Sequence, residues 1–329
     1  MTEITLKKLL TSKMFALTAL LVLLTIVVNI GSNGAFFTVI NIRIILDSMI
    51  ITGLLTIGSA MLLVGGALDL SLGAVGTMAG IMFAFLVRDF SLSWPLALMG
   101  ALIASAAFGA LNAVLVNFVR FPAFIATLAT MSIAEAAGMM ITQGRQVQVA
   151  DEFMRTVASS RVFNNVVPIT VIILAVAFVT YGIILAKTRF GRQVYLSGSN
   201  PHATRLVGIS PTKVSFVLFI NGAALAAIAG IMRAARVGSA TTIGITDHQF
   251  SGMIAAILGG VSFGGGSGGM LGAFMGLLIF SAFANGMFLL RISSFWNQVL
   301  FGMLLLISLS FDYIRSKRAS KRKKAVIDA

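Results

Sequence analysis

The sequence contains no cysteine. That absence removes disulfides, thiolate nucleophiles and cysteine-ligated metals together, and leaves no marker of redox compartment. Histidine is nearly absent too. His202 and His248 are the only two, and they are predicted on opposite sides of a membrane, so no cluster exists to hold a transition metal. No lysine follows a glycine, which rules out a phosphate-binding loop of the Gly-Lys-Ser/Thr type and, with it, ATP hydrolysis by this chain. Charged residues make up only 10% of the sequence, against about 25% in a soluble globule. So few charges cannot cover a water-facing surface. The sparse His, Asp and Glu also argue against a membrane-embedded enzyme, which needs a catalytic cluster.

What fills the 329 residues instead is apolar sequence: 58% hydrophobic residues and a mean hydropathy of +1.01. A bilayer-crossing helix needs roughly 20 apolar residues, with a range of about 17–25. Ten hydrophobic segments follow from that criterion, at 14–31, 44–65, 70–88, 94–119, 121–142, 166–186, 214–234, 250–263, 268–290 and 294–312. The run from Met14 lacks a small-residue cleavage site and reads as a span rather than a signal peptide. The eighth segment is too short for an ordinary crossing. It is bounded by Asp247-His248-Gln249 and by Gly264-Gly265-Gly266-Ser267-Gly268-Gly269, which predicts a broken or half-membrane helix, because irregular backbone survives at depth only inside protein or along a wet cavity. The fold class is therefore all-α: a polytopic membrane protein of about ten transmembrane segments.

The net charge of +14 does not point to nucleic acid, because of where the charges sit. With the N-terminus inside and ten crossings, sixteen of the twenty-four Lys and Arg residues fall on the cytoplasmic side, as the positive-inside rule requires. Both termini are then cytoplasmic, residues 1–13 form an N-terminal segment, 14–314 a single transmembrane domain, and 315–329 a basic tail. The tail, Lys317 to Lys324, reads as a topology signal with anionic-lipid contact as a lesser role. The same orientation puts the 143–165 segment outside and the long polar passage 187–213 inside. An internal repeat is suggested by Gly65-Gly66 and Gly259-Gly260, each leading into a Gly-interrupted segment about fifty residues into its half, a pattern that points to transport.

Within 187–213, Thr204 to Ile209 predicts a short helix ahead of the Ser210-Pro211 break, with Leu206 and Ile209 on one face. Such a helix can press on a soluble partner; the plainer reading is a basic connector. Inside the spans, Asp69 is a carboxylate in an apolar run. It reads as the cap of the helix starting near Leu70, with a transport role as the alternative. Glu135 sits mid-span and either lines a path, pairs across the subunit or makes a buried hydrogen bond to a neighbouring helix. Ser71, Asn112, Asn117, Thr127, Thr130, Asn221 and Asn285 carry amides and hydroxyls suited to a neutral polyol, and equally suited to joining helices.

Several runs then line up in one order. Thr188-Arg189-Phe190-Gly191-Arg192-Gln193-Val194-Tyr195, followed by Gly198, Asn200, Ala203, Leu206, Gly208 and Ile209, resembles the cytoplasmic signature of the ribose-type permeases, the membrane subunits of binding-protein-dependent ABC sugar importers. Gly65 to Gly73, Pro122 to Met131 and Ala255 to Gly266 resemble further family motifs. Ser199 and Leu68 depart from the pattern, where Gly and Ile are usual. The resemblance implies that Gly191, Arg192, Gly198, Asn200, Arg205 and Gly208 belong to a loop docking on a separate ATPase subunit. It also implies an extracytoplasmic sugar-binding protein, a second permease copy or sister permease, and ATP used by the partner while this chain binds no cofactor. An ion-gradient-driven secondary transporter is the rival reading, with Asp69 and Glu135 as its coupling groups.

Overall fold

The computed structural model of the chain describes residues 13–293 and, beyond them, positions 296, 299, 300, 302, 303, 306 and 310. The N-terminal residues 1–12, most of the expected tenth segment 294–312 and the basic tail lie outside the described residues. Twelve α-helices are present among those described: α1 (Lys13–Gly31), α2 (Val39–Val64), α3 (Leu72–Asp89), α4 (Trp94–Asn117), α5 (Ala123–Thr142), α6 (Glu152–Ser159), α7 (Ile169–Lys187), α8 (Arg189–Ser199), α9 (Pro201–Leu206), α10 (Pro211–Val237), α11 (Gln249–Leu258) and α12 (Met270–Leu289). Eight of them, all but α6, α8, α9 and α11, are long and apolar enough to cross a bilayer. The chain is an all-α, multi-pass membrane protein. The expected eighth segment is indeed short. At 1.5 Å per residue, the ten residues of α11 reach about 15 Å, half a hydrocarbon core of about 30 Å.

Helix ends follow local chemistry. Thr38 starts α2 five residues before the expected segment, its hydroxyl accepting from the Asn41 amide at 3.3 Å. Ser210 and Pro211 start α10, and Gly238, at φ 79°, ends it. The two Gly-Gly pairs close α2 and α11 in the same way. Gly65 and Gly259 stay right-handed while Gly66 (φ 78°) and Gly260 (φ 82°) turn left-handed. Ala67 and Val261 then donate back to Leu62 and Ala256 at 2.9 and 3.0 Å, the long bond of a Schellman cap. The repeat suggested by the sequence is thus visible as two matched helix endings, each followed by irregular chain and a new helix.

The central helix is α10. It meets α3 where Gly76 and Gly230 oppose each other, and it meets α2 where Gly58 opposes Gly222. A Cβ on Gly230 would overlap the Gly76 carbonyl. Small residues at such crossings let backbones approach when no water is available to drive association. The α11–α12 crossing uses Gly259, Gly272 and Gly276 in the same manner.

At one end of the bundle, β1 (Val147–Gln148) pairs antiparallel with β4 (Ser239–Ala240), and β2 (Arg161–Val162) with β3 (Val167–Pro168). This is the strand end. At the other end, α8 packs beneath the α2–α3 break, and α9 follows it. The separation of 143–168 and 238–248 from 188–210 matches the alternation expected from the charge pattern.

Candidate functional site

The irregular stretch between α2 and α3 carries Asp69, which is itself buried, as is Ser71. The carboxylate Oδ1 accepts from the Ser71 amide at 2.8 Å and from the Ser71 hydroxyl at 2.6 Å. Its Oδ2 accepts from Asn112 Nδ2 at 3.2 Å. Asn112 Nδ2 also reaches Ser71 Oγ at 2.9 Å, and Asn112 Oδ1 accepts from the Thr130 hydroxyl at 2.6 Å. Four of the polar candidates, Asp69, Ser71, Asn112 and Thr130, therefore form one buried network joining the α2–α3 break to α4 and α5. The sequence expects Asp69 to cap the helix, but α3 starts at Leu72 with Ser71 as its N-cap and no side-chain cap bond, and Asp69 accepts from the Ser71 amide just ahead of the helix rather than from a helical amide. Thr127, one turn before Thr130, is buried too, but its hydroxyl donates to Ala123 O on its own helix at 2.8 Å.

The remaining candidates lie elsewhere. Asn285 and Asn41 exchange two amide hydrogen bonds at 2.9 and 2.8 Å between α12 and α2. Asn221 donates to the Tyr181 hydroxyl, and Asn117 to Ser215 Oγ at 3.0 Å. In these pairs the amides join helices. Glu135 is half-buried on α5 and has no hydrogen bond or ion pair among the described residues.

The 187–213 passage contains more helix than the sequence suggested. The expected helix at Thr204 to Ile209 is α9, which begins earlier, at Pro201, and is preceded by the eleven-residue α8. Asn200 joins them: its Oδ1 accepts from the His202 and Ala203 amides at 3.1 and 3.0 Å. Leu206 and Ile209 do not share an outward face. Leu206 is 88% exposed beside exposed Val207, whereas Ile209 packs on the core. Arg192 and Arg205 are exposed. Gly208 takes φ 78° with open space where a Cβ would sit, so the left-handed turn, rather than any close contact, favours glycine there.

Gly191 and Gly198 have a different reason. A Cβ on Gly191 would overlap the Leu185 carbonyl where α7 folds into α8. Gly198 lies against Val64 O, the Gly265–Gly266 turn and Gly66, whose Cβ would come 3.1 Å from Gly198 Cα. Gly266 N donates to Val64 O at 2.8 Å. Three segments far apart in sequence meet here backbone to backbone. The neighbouring Tyr195 hydroxyl donates to Gly268 O at 2.6 Å, and burial pushes its phenol up, which keeps it a donor. Sequence alone did not show α8, the anchoring bond of Tyr195 or the role of Gly66. The only signal available was the glycine content of three separate motifs.

Another unforeseen cluster sits at the strand end. Asp47 on α2 bonds Arg161 Nη2 and Arg236 Nη2, each at 2.6 Å. Replacing Asp47 by Ala should cost about 1–2 kcal/mol, a buried-pair loss reduced by partial exposure. The thermal unfolding midpoint should fall in detergent, less so at high salt. An unchanged midpoint would show that the clamp holds nothing.

The comparisons with known proteins now bear on this arrangement. Residues 41–309 match the family described as branched-chain amino acid transport system / permease component. The chain belongs to this permease family. The permease is 32% identical to the ribose import permease protein RbsC of Escherichia coli (strain K12) over 302 residues, covering 90% of this chain and 92% of the relative. It is 30% identical to the Bacillus subtilis (strain 168) ribose import permease RbsC over 90% and 91% of the two chains. The autoinducer 2 import system permease protein LsrC of Escherichia coli (strain SMS-3-5 / SECEC) is 29% identical over 90% and 86%. No solved structure matches the chain. The permease is thus a membrane component of a transport system.

Proposed function

We propose that this permease is the translocation subunit of an ABC importer for a sugar or sugar-like small molecule. An extracytoplasmic binding protein delivers the solute to the strand end, and a separate ATPase subunit docks on α8 and α9 in the cytoplasm. Two permease copies, or this chain and a sister, enclose the path. Support for the substrate class comes from the relatives, which are named for ribose and autoinducer 2.

The observation that carries the mechanism is the glycine junction. The exposed tip of α9, with Leu206, Val207 and Arg205, presents apolar and cationic groups to a partner. The tip is joined through Asn200 to α8, whose Gly198 rests directly on the end of α2. The chain leaving α2 carries Asp69 into the buried network. A push on α9 therefore reaches the α2–α3 break through backbone contacts, which transmit displacement with little give. Glu135 on α5 faces the path in this reading, because an unpartnered carboxylate in mid-span is costly against lipid.

Replacing Arg192 or Gly208 tests the docking role. With Arg192→Glu or Gly208→Val, uptake and substrate-stimulated ATPase activity should both fall at least tenfold in the reconstituted complex, with normal membrane abundance. Co-purification of the ATPase subunit should weaken in parallel. Uptake at the parent level with equal abundance would reject the docking surface.

A further inference from the structure

At the strand end, a cleft opens between α3, α10 and residues 239–245. It holds about 110 Å³ and is lined by Thr77, Gln146, Arg233, Ser239, Thr241 and Gly244, among others. That volume takes roughly seven to eleven waters, at ~10–15 Å³ each. It lies well below the ~300–1,000 Å³ of a pocket for drug-sized ligands. The size suits a small molecule on the scale of a single sugar ring.

The floor is fixed. Thr77 Oγ1 accepts from the Ile245 amide at 2.9 Å, and a Cβ on Gly244 would press on the Thr77 side chain. The walls, by contrast, keep polar capacity in hand. Gln146 Nε2 donates to Ser239 Oγ, leaving Gln146 Oε1 as a free acceptor and the Ser239 hydroxyl proton free to donate. Thr241 Oγ1 accepts from the Gly244 amide at 3.3 Å, leaving its own proton free. Arg233, half-buried one turn inside the end of α10, makes no ion pair or hydrogen bond among the described residues. The contrast with Arg236 is direct, since that side chain is held by Asp47. No carboxylate is among the described residues that line the cleft.

We propose that this cleft is a receiving site for a neutral polyol of monosaccharide size, with Arg233 as its principal donor and Gln146 Oε1 as its acceptor. A hydroxyl group both donates and accepts, so it matches a wall that offers both. A cation would meet Arg233. A phosphate or carboxylate would satisfy Arg233 but would turn its oxygens on Gln146 Oε1. The guanidinium fork can bridge two neighbouring hydroxyl oxygens. The inference rests on the sugar-importer reading and extends it to the residues that first hold the solute on the membrane side.

The native lack of cysteine provides the test. Thr241→Cys and, separately, exposed Val237→Cys are introduced into the full-length chain in complex with its ATPase and binding protein. Right-side-out vesicles without ATP are treated with a membrane-impermeant maleimide. Millimolar D-ribose, D-xylose, L-arabinose, D-galactose, D-glucose and myo-inositol are the probes, with sodium phosphate and citrate as anions. Uptake by the parent complex is measured first. The sugar that is imported should slow labelling at both positions at least threefold and leave Ala150→Cys, exposed at the same end outside the cleft, unaffected. Adding Arg233→Gln should abolish the protection while basal labelling stays the same. An imported sugar that protects neither position overturns the site. Protection by phosphate or citrate and not by sugars overturns the ligand class. If no sugar is imported, the importer reading fails at the uptake step, and the site falls with it.

Discussion

Gly198→Ala is expected to cut uptake at least tenfold, although alanine is the better helix former. In an exposed helix interior the same exchange gains roughly 1 kcal/mol. Here the sign reverses, because the added methyl has nowhere to go. It would overlap Val64 O and come 2.7 Å from Gly266 N and 3.0 Å from Gly65 C. All three neighbours are backbone, so no rotamer change relieves the contact, and α8 must lift away from the end of α2. That lift severs the link between the α9 tip and the α2–α3 break. The reconstituted complex should still hydrolyse ATP at its basal rate but lose stimulation by the loaded binding protein. Gly208→Asn is the matched comparison. Gly208, unlike Gly198, takes a left-handed backbone, but it has open space around it, and asparagine tolerates that conformation. It should retain most of the uptake. Equal activity in the two variants would mean that the junction does not transmit.

The sequence disclosed the fold through bulk properties that need no partner information. Nine of the ten hydrophobic segments correspond to described helices, and the shortness of α11 was legible from the polar and glycine-rich stretches that bound it. The 187–213 passage stood out by polarity alone. What could not be read was pairing. Asp69 meets Asn112 across 43 positions, and Asn41 meets Asn285 across 244. Periodicity within one helix carries no information about which distant amide it will face. α8 escaped for a related reason. Gly191 and Gly198 look like breaks in a loop, yet both are places where another backbone crosses the helix. Tertiary contact overrode local propensity, and a single sequence does not announce such contacts. Asp47 was unremarked because its two arginines come from strand β2 and from the far end of α10.

The buried network supplies the other large effect. Asp69→Ala should destabilise the permease by about 3 kcal/mol or more, and Asn112→Ala by about 1–3 kcal/mol. Removing the carboxylate leaves the Ser71 amide, the Ser71 hydroxyl and the Asn112 amide without their acceptor, and each buried orphan carries its own desolvation cost. Asp69→Asn does not restore the network. All three neighbours donate, so an amide presents its own NH2 to Asn112 Nδ2. Turning Asn112 over to match would break its bonds to Ser71 Oγ and from the Thr130 hydroxyl. Asn112→Ala leaves Asp69 Oδ2 without its donor and the Thr130 hydroxyl with only the Thr127 carbonyl at 3.2 Å, so the two alanine variants damage one unit rather than two. Their combination should be less destabilising than the sum, by about 1 kcal/mol or more, as expected for residues in contact. Thermal unfolding of the purified variants in one detergent gives the three differences needed for the cycle. Additive losses would mean that Asp69 and Asn112 act independently. The network would then be two separate helix contacts, and the α2–α3 break would have to be held by the glycine junction alone.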